Sequence, residues 1–208
     1  MKKLLIVLLS SSLVLISTIS AQSKEPKYKG LFNLATDARY YKFVDYKSRN
    51  QFDKALLLKI VDKRPEQEKI FDEKTQYFND DIWAEPPTKM LGKIFLKELR
   101  SSNMFKAVDF DETKPSLVLE IELTSLIGNY GDGGRVARGV VKIHPILKTT
   151  LDNRIIMEKN YEETKSCLVG RFSNAYRYMY QNIGIALNAV IKEMMGDLEN
   201  TLVKEFGK

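Results

Sequence analysis

The chain holds a single cysteine, Cys167, and a single histidine, His144, among 208 residues. A lone thiol closes no intrachain disulfide, and one thiol with one imidazole cannot assemble the four soft ligands of a structural zinc site. Disulfide scaffolds and zinc modules are therefore excluded, and the fold must rest on an ordinary apolar core, which this length can supply. Nucleophilic machinery is equally scarce. No Gly-x-Ser-x-Gly elbow occurs, and a Cys and His couple would have to join His144, on a strand beside Pro145, to Cys167, in the loop before the last helix. The glycine-rich stretch Gly128 to Gly134 runs from strand to strand without a Gly-Lys-Ser or Gly-Lys-Thr ending, so it reads as a hairpin tip and not a phosphate cradle. Carboxylates are plentiful, with Asp80, Asp81 and Glu85 in one group and Glu120 and Glu122 about 7 Å apart on one strand face. A solvated carboxylate is a poor acid at neutral pH, and nothing in the pattern buries these.

What is present is the composition of a folded globular chain, 44% hydrophobic and 29% charged. Lys2 and Lys3 precede an apolar run from Leu4 to Ile19, and Ser20-Ala21-Gln22 follows. That order reads as a secretory signal peptide over residues 1–21, cleaved after Ala21. The rival reading is a retained anchor, for which roughly 16 mixed residues fall short of the ~20 that span a bilayer. Without Lys2 and Lys3 the 33 basic residues become 31 against 27 acidic ones. Basic and acidic side chains are interleaved, as in Lys54 to Lys74, which argues against a nucleic-acid partner. No cysteine follows the apolar run, so acylation of a mature N-terminal cysteine is not available, and the expected location is periplasmic without a lipid anchor.

Residues 22–50 read as an N-terminal leader, polar and mobile up to Gly30 and aromatic-rich from Tyr28 to Tyr46, with Arg39 to Val44 as a candidate edge strand. Residues 51–208 read as one domain. Ala55 to Val61 has the length and punctuation of a buried strand. Glu68 to Phe71 and Thr75 to Phe78 look like hairpin arms. Pro86-Pro87 opens an amphipathic helix carrying Met90, Leu91, Ile94, Phe95 and Leu99, because proline at a helix start forgoes an N–H that would have no partner there. Phe105 to Phe110 forms a short strand.

Leu117, Leu119, Ile121 and Leu123 then alternate with Glu120, Glu122 and Thr124, the mark of a strand wet on one side. Val136 to Leu147 returns from the glycine-rich tip, and Pro145 places an edge or bulge. Asp152-Asn153 turns the chain into a third strand, Arg154 to Thr164. From Tyr176 to Leu202 apolar residues recur at helical spacing for about 27 residues. The expected fold is α+β, an antiparallel sheet with two helices packed on one face.

The most individual stretch is Tyr77-Phe78-Asn79-Asp80-Asp81-Ile82-Trp83-Ala84-Glu85-Pro86-Pro87, with the only tryptophan. In physical terms Trp83 is a wedge between strand and helix, and Glu85 sits where negative charge favours a helix N-terminus. Trp-Ala-Glu-Pro-Pro, the following helix to Arg100 and the connector Ser-Ser-Asn-Met-Phe-Lys-Ala-Val are similar to those of the ABC-type transport auxiliary component family. The resemblance runs from Ala55 to the last helix. It implies a non-enzymatic envelope subunit without cofactor or metal, working beside a mammalian-cell-entry-domain protein and a permease and ATPase complex, and a possible homo-oligomer. Members commonly carry a lipobox cysteine, which this chain lacks. The contact residues it suggests are Trp83, Ala84, Glu85, Pro86 and Pro87. The tip adds Tyr130, Arg135 and Arg138 as an aromatic and cationic handle. The alternative is a free periplasmic lipid-binding carrier, with Tyr176, Tyr178, Met179, Tyr180, Met194 and Met195 forming an adaptable apolar surface, although at helical spacing such residues also make a core. A secreted hydrolase using exposed carboxylates is the third reading.

Overall fold

The computed structural model describes residues 28, 30–69, 80–131, 135–170 and 175–207. The signal segment, Thr75 to Phe78 and Asp132 to Gly134 lie outside them. Strand β1 (Phe52–Asp62) buries Leu56 and Leu58, and at its end Lys63 N–H donates to the Leu123 carbonyl. The chain then makes a one-turn helix, α1 (Glu66–Lys69), a 3-10 turn at Asp80–Ile82, and helix α2 (Pro87–Ser101). Glu68 and Lys69 are thus helical, where the sequence suggests a hairpin arm. Pro87 occupies the first helical position and is buried, as the missing N–H predicts.

Strand β2 (Phe105–Asp109) follows α2 and lies parallel to β1, because a helix crossover returns the chain to the same end of the sheet. Strand β3 (Leu117–Gly131) also runs parallel to β1, on its other side. A seven-residue link suffices between them. β2 lines the first half of β1 up to Leu57↔Asp109, and β3 begins at Leu56↔Leu117 and lines the second half. The sheet is therefore mixed and not purely antiparallel, a correction that the period-two pattern could not supply, since alternation is the same in either sense.

From β3 onward the meander is antiparallel. Strand β4 (Val136–Thr149) pairs with β3 along its whole length, and β3 continues through Gly128, Asn129, Tyr130 and Gly131, which the sequence assigns to the tip. The third strand is split into β5 (Ile155–Glu158) and β6 (Tyr161–Leu168), both on the outer side of β4. Pro145 falls where β4 changes partner, between Ile143↔Tyr161 and Ile146↔Glu158, a place that tolerates a missing donor. Cys167 lies in β6, not in a loop. Helix α3 (Ala175–Phe206) closes the fold. Among the described residues this is an α+β fold of six strands in a mixed sheet with three helices. No described helix is long and apolar enough to cross a membrane.

α2 packs over β1 and β2, and α3 over β4, β6 and β3, sharing one core with Leu119, Ile121, Leu123, Val141, Ile143 and Leu147. A bulge between Leu123 and Ser125 shifts the phase of β3 so that Leu126 is again buried. Glu68 of α1 fills the bulge, accepting from Ser125 Oγ at 3.1 Å and Leu126 N–H at 3.3 Å. The excursion between β1 and α2 is closed by Arg64. Its guanidinium, fully buried, donates to Asp80 at 2.9 and 3.0 Å and to Asp62 at 3.0 and 2.8 Å.

Residues 30–50 do not form the edge strand suggested for Arg39 to Val44. They run as an irregular strap against the two helices, with Leu34 and Tyr41 buried in the common core. Gly184 lets the strap approach α3, since a Cβ there would stand 1.6 Å from the Tyr40 carbonyl oxygen, whereas one on Gly196 would meet nothing within 4 Å. These two glycines of one helix predict opposite outcomes in chemical denaturation. Gly196→Ala is expected to stabilise by up to about 1 kcal/mol through helix propensity. Gly184→Ala is expected to destabilise by about 1–3 kcal/mol as the strap is forced outward.

Candidate interaction surface

The strap is held by carboxylates that the helices carry inward. On α2, Glu98 is fully buried, and its Oε1 accepts from Tyr41 Oη at 2.7 Å and from Val44 N–H at 2.6 Å. Its Oε2 is buried without a hydrogen-bond partner among the described residues. On α3, Glu199 accepts from Tyr46 Oη at 2.6 Å and from the N–H groups of Arg49 and Asn50 at 2.7 and 3.2 Å. Burial alone would raise the Glu199 carboxyl, but the donors from Tyr46 to Asn50 outweigh it and hold the group below its ordinary range. Burial and the Glu199 carboxylate together push the Tyr46 hydroxyl up to about 12. Asn188 Nδ2 adds a bond to the Lys42 carbonyl at 2.8 Å.

The Trp-Ala-Glu-Pro-Pro stretch is the other anchorage of the strap. Trp83 is 1% exposed. It bridges to Phe32, and its carbonyl accepts from Gly30 N–H at 3.1 Å, while Ala84 N–H donates to the Phe32 carbonyl at 2.9 Å. Its ring stands edge-on to Tyr180, against which Phe32 stacks. The wedge thus sits between strap and α3. Glu85 does not bond the helix N-terminus. It accepts from Asn33 Nδ2 at 2.7 Å and from Lys93 Nζ at 2.7 Å, and although its burial acts upward, these donors hold its carboxyl below the usual range. Pro86 caps α2 without a side-chain bond.

The handle residues reach the same end of the molecule. Tyr130, near the end of β3, packs edge-on to Tyr176 of α3, one turn before Tyr180. Burial raises the Tyr130 and Tyr180 hydroxyls above their ordinary range. Arg138 is exposed on β4 opposite Asn129, and Arg135 is exposed at the tip, where its carbonyl accepts from Val169 N–H at 2.8 Å. Trp83 and Tyr130 are therefore linked through the first turns of α3. The sequence pattern does not reveal Phe32, Tyr40 or Tyr180 as the middle of this cluster, because two of them lie in a segment without periodicity.

Of the groups considered for chemistry, His144 and Cys167 lie on opposite sheet faces, whereas His144 and Glu122 meet. His144 lies on the sheet face away from the helices, with Nδ1 at 3.1 Å from Glu122 and Nε2 at 3.2 Å from Glu158. Cys167 lies on the helix-covered face, where Asn182 Nδ2 approaches its Sγ at 3.3 Å. Glu120 shares the open face with Glu122, half-exposed. No cluster of three or more potential metal ligands occurs among the described residues. A cleft of about 630 Å³ runs along α3 between the strap and β6.

Two outcomes test the anchorage. Trp83→Ala is expected to cost about 3–5 kcal/mol in thermal or chemical denaturation. The Glu199 clamp is expected to contribute stability above the ordinary carboxyl value of 4.5 and to lose it as pH falls through the depressed folded value. The Tyr46 side of the bond works the other way, present below 10.0 and lost as pH rises through about 12. The protection factors of the Arg49 and Asn50 amides, taken against the intrinsic exchange rate at each pH, should therefore fall on acidification in the native chain and be low throughout in Glu199→Gln.

No family model matches the sequence, and no curated protein does. Among solved structures, protein XCC0632 from Xanthomonas campestris, whose family model is DUF330, is similar at 15% identity with a TM-score of 0.63, over 81% of this chain and 96% of that one. The hypothetical protein CT253 from Chlamydia trachomatis is similar at 10% identity and a TM-score of 0.46, over 73% and 98%. A minor lipoprotein from Acinetobacter baumannii is similar at 11% and 0.37, over 75% and 95%. The first of these likenesses establishes the α+β fold and nothing beyond it.

Proposed function

We propose that this chain is an exported, non-catalytic auxiliary subunit of an ABC-type lipid or organic-solvent transport system, acting in the envelope through protein contacts. The observation that supports this reading most is the Trp83 to Pro87 junction. Within that junction Trp83 and Pro87 are buried and the stretch docks the strap onto both helices, so the motif shapes a surface. The separation of His144 from Cys167 by the sheet agrees with a role without bond-making, and the reading requires no cofactor. In this reading the partners are a mammalian-cell-entry-domain protein and a permease and ATPase complex, with self-association as a further contact. The N-terminal apolar run supplies the export signal.

The test is affinity purification of the tagged full chain from envelope extracts of its own host. Co-purification of a mammalian-cell-entry-domain protein with a permease and ATPase is the expected result. A chain recovered alone that takes up fluorescent phospholipid one-to-one would overturn it in favour of the free carrier. Catalytic activity abolished by Glu120→Gln or Glu122→Gln would overturn both.

A further inference from the structure

Beyond β4 the sheet ends in β5 and β6, and β6 borders the cleft of about 630 Å³. Among the described residues β6 pairs with β4 alone, so its outer backbone groups face away from the sheet. Along that edge Leu168 is 80% exposed. Beside it runs one flank of α3, on which Tyr178, Gln181, Ile185 and Asn188 follow at helical spacing, and Ile185 is 52% exposed. The strap forms the opposite wall with Arg39, Tyr40 and Lys42, and Cys167 forms the wall toward β6. Asn182 fixes that wall, donating to the Ala137 carbonyl at 2.9 Å as well as meeting Cys167 Sγ.

The dimensions fit a strand. From Tyr178 to Asn188 the helix rises ~15 Å, the length of about four or five extended residues at ~3.3 Å each. The charge selects its chemistry. Among the described residues the lining holds two cations and no carboxylate. Arg39 is shared with Asp37 at 2.6 Å, whereas Lys42 makes no ion pair among the described residues. A second copy would bring a groove of the same sign against this one, in a chain of net charge +6. An acidic segment meets no such opposition.

We propose that the groove between β6, the α3 flank and the strap docks an extended segment of a partner protein that carries acidic and aliphatic side chains, and that this segment joins the sheet beside β6. Main-chain bonds to the edge supply affinity, and alternate side chains are read by the groove, aliphatic ones by Tyr178 and Ile185 and acidic ones by Lys42. The inference rests on the reading of the chain as a contact subunit and names the kind of contact.

Cys167 supplies the readout, because it is the only thiol of the chain and lies in the groove wall. The rate of its alkylation by a maleimide is measured on the full chain with two synthetic octapeptides, one alternating valine with glutamate and one alternating valine with lysine. The expected result is saturable protection by the acidic peptide, about tenfold at ten times its dissociation constant, and none by the basic one. Lys42→Glu, an exposed change checked by an unaltered circular dichroism spectrum, is expected to reverse the preference. No protection, or equal protection by both peptides, overturns the groove. So does protection that grows with the protein's own concentration, which assigns the site to a second copy, or protection by phosphatidylglycerol vesicles alone, which assigns it to lipid. Co-purification of the transport partners alongside any of these results would leave the contact-subunit reading standing, so the two failures are distinguishable.

Discussion

The arrangement depends on two helix carboxylates that point inward. Burying Glu98 and Glu199 is costly, since a carboxylate loses its hydration and regains it only through hydrogen bonds of good geometry. Glu199 regains it, and Glu98 regains it at Oε1, from one source, the strap at residues 41–50, which offers two tyrosine hydroxyls and three backbone N–H groups. The dependence is mutual. An irregular segment has no ladder of its own to satisfy its N–H groups, and the helices provide acceptors where an apolar face would leave those donors empty. The strap in turn covers the second apolar side of α3, which explains why a helix with a single expected stripe is buried on a much wider arc.

This covering divides the molecule. One sheet face lies under two helices and the strap, with aliphatic contacts throughout. The other carries Glu120, Glu122 and His144 among half-exposed neighbours. The division sets the imidazole of His144 and the thiol of Cys167 on opposite faces of the pleated sheet. What the covered face gains is rigidity at one end, where Phe32, Trp83 and Tyr180 interlock strap, helix start and helix flank.

Elements with a strong period were legible in the sequence, and those held by single interactions were not. The alternation from Leu117 to Leu123, the proline start of α2 and the spacing along α3 each depend on one-sided burial, which leaves a periodic trace. Strand direction leaves none, so β1 and its parallel neighbours could be placed but not oriented. Glycines misled in the β3 to β4 hairpin. Gly128 and Gly139 are not turn residues but places where α3 comes close, since a Cβ on them would meet Met179 at 2.5 Å and Ile183 at 2.3 Å. The strap was legible only as aromatic content, because its order comes from Glu98 and Glu199 more than fifty and one hundred and forty residues away.

The two edges of the sheet show a further consequence of where charge is placed. An edge strand presents unpaired backbone groups and invites pairing unless it is short, charged or covered. β2 is five residues long, and Arg100 of α2 reaches over it to the Val108 carbonyl at 2.9 Å while its guanidinium also pairs with Asp109. Lys106 pairs with Asp53 at 2.8 Å, so that edge is crossed by charges of both signs. β6 is eight residues long, and its two carboxylates are already engaged by Lys142 and Lys165. Its far end, from Ser166 to Leu168, is without charge and opens onto a groove of one sign. Neutral backbone that no described residue pairs, next to the unpaired Lys42, is selective in this proposal: it disfavours a copy of itself and admits a strand of opposite charge. One edge is closed by local ion pairs, and the other is guarded only by its field.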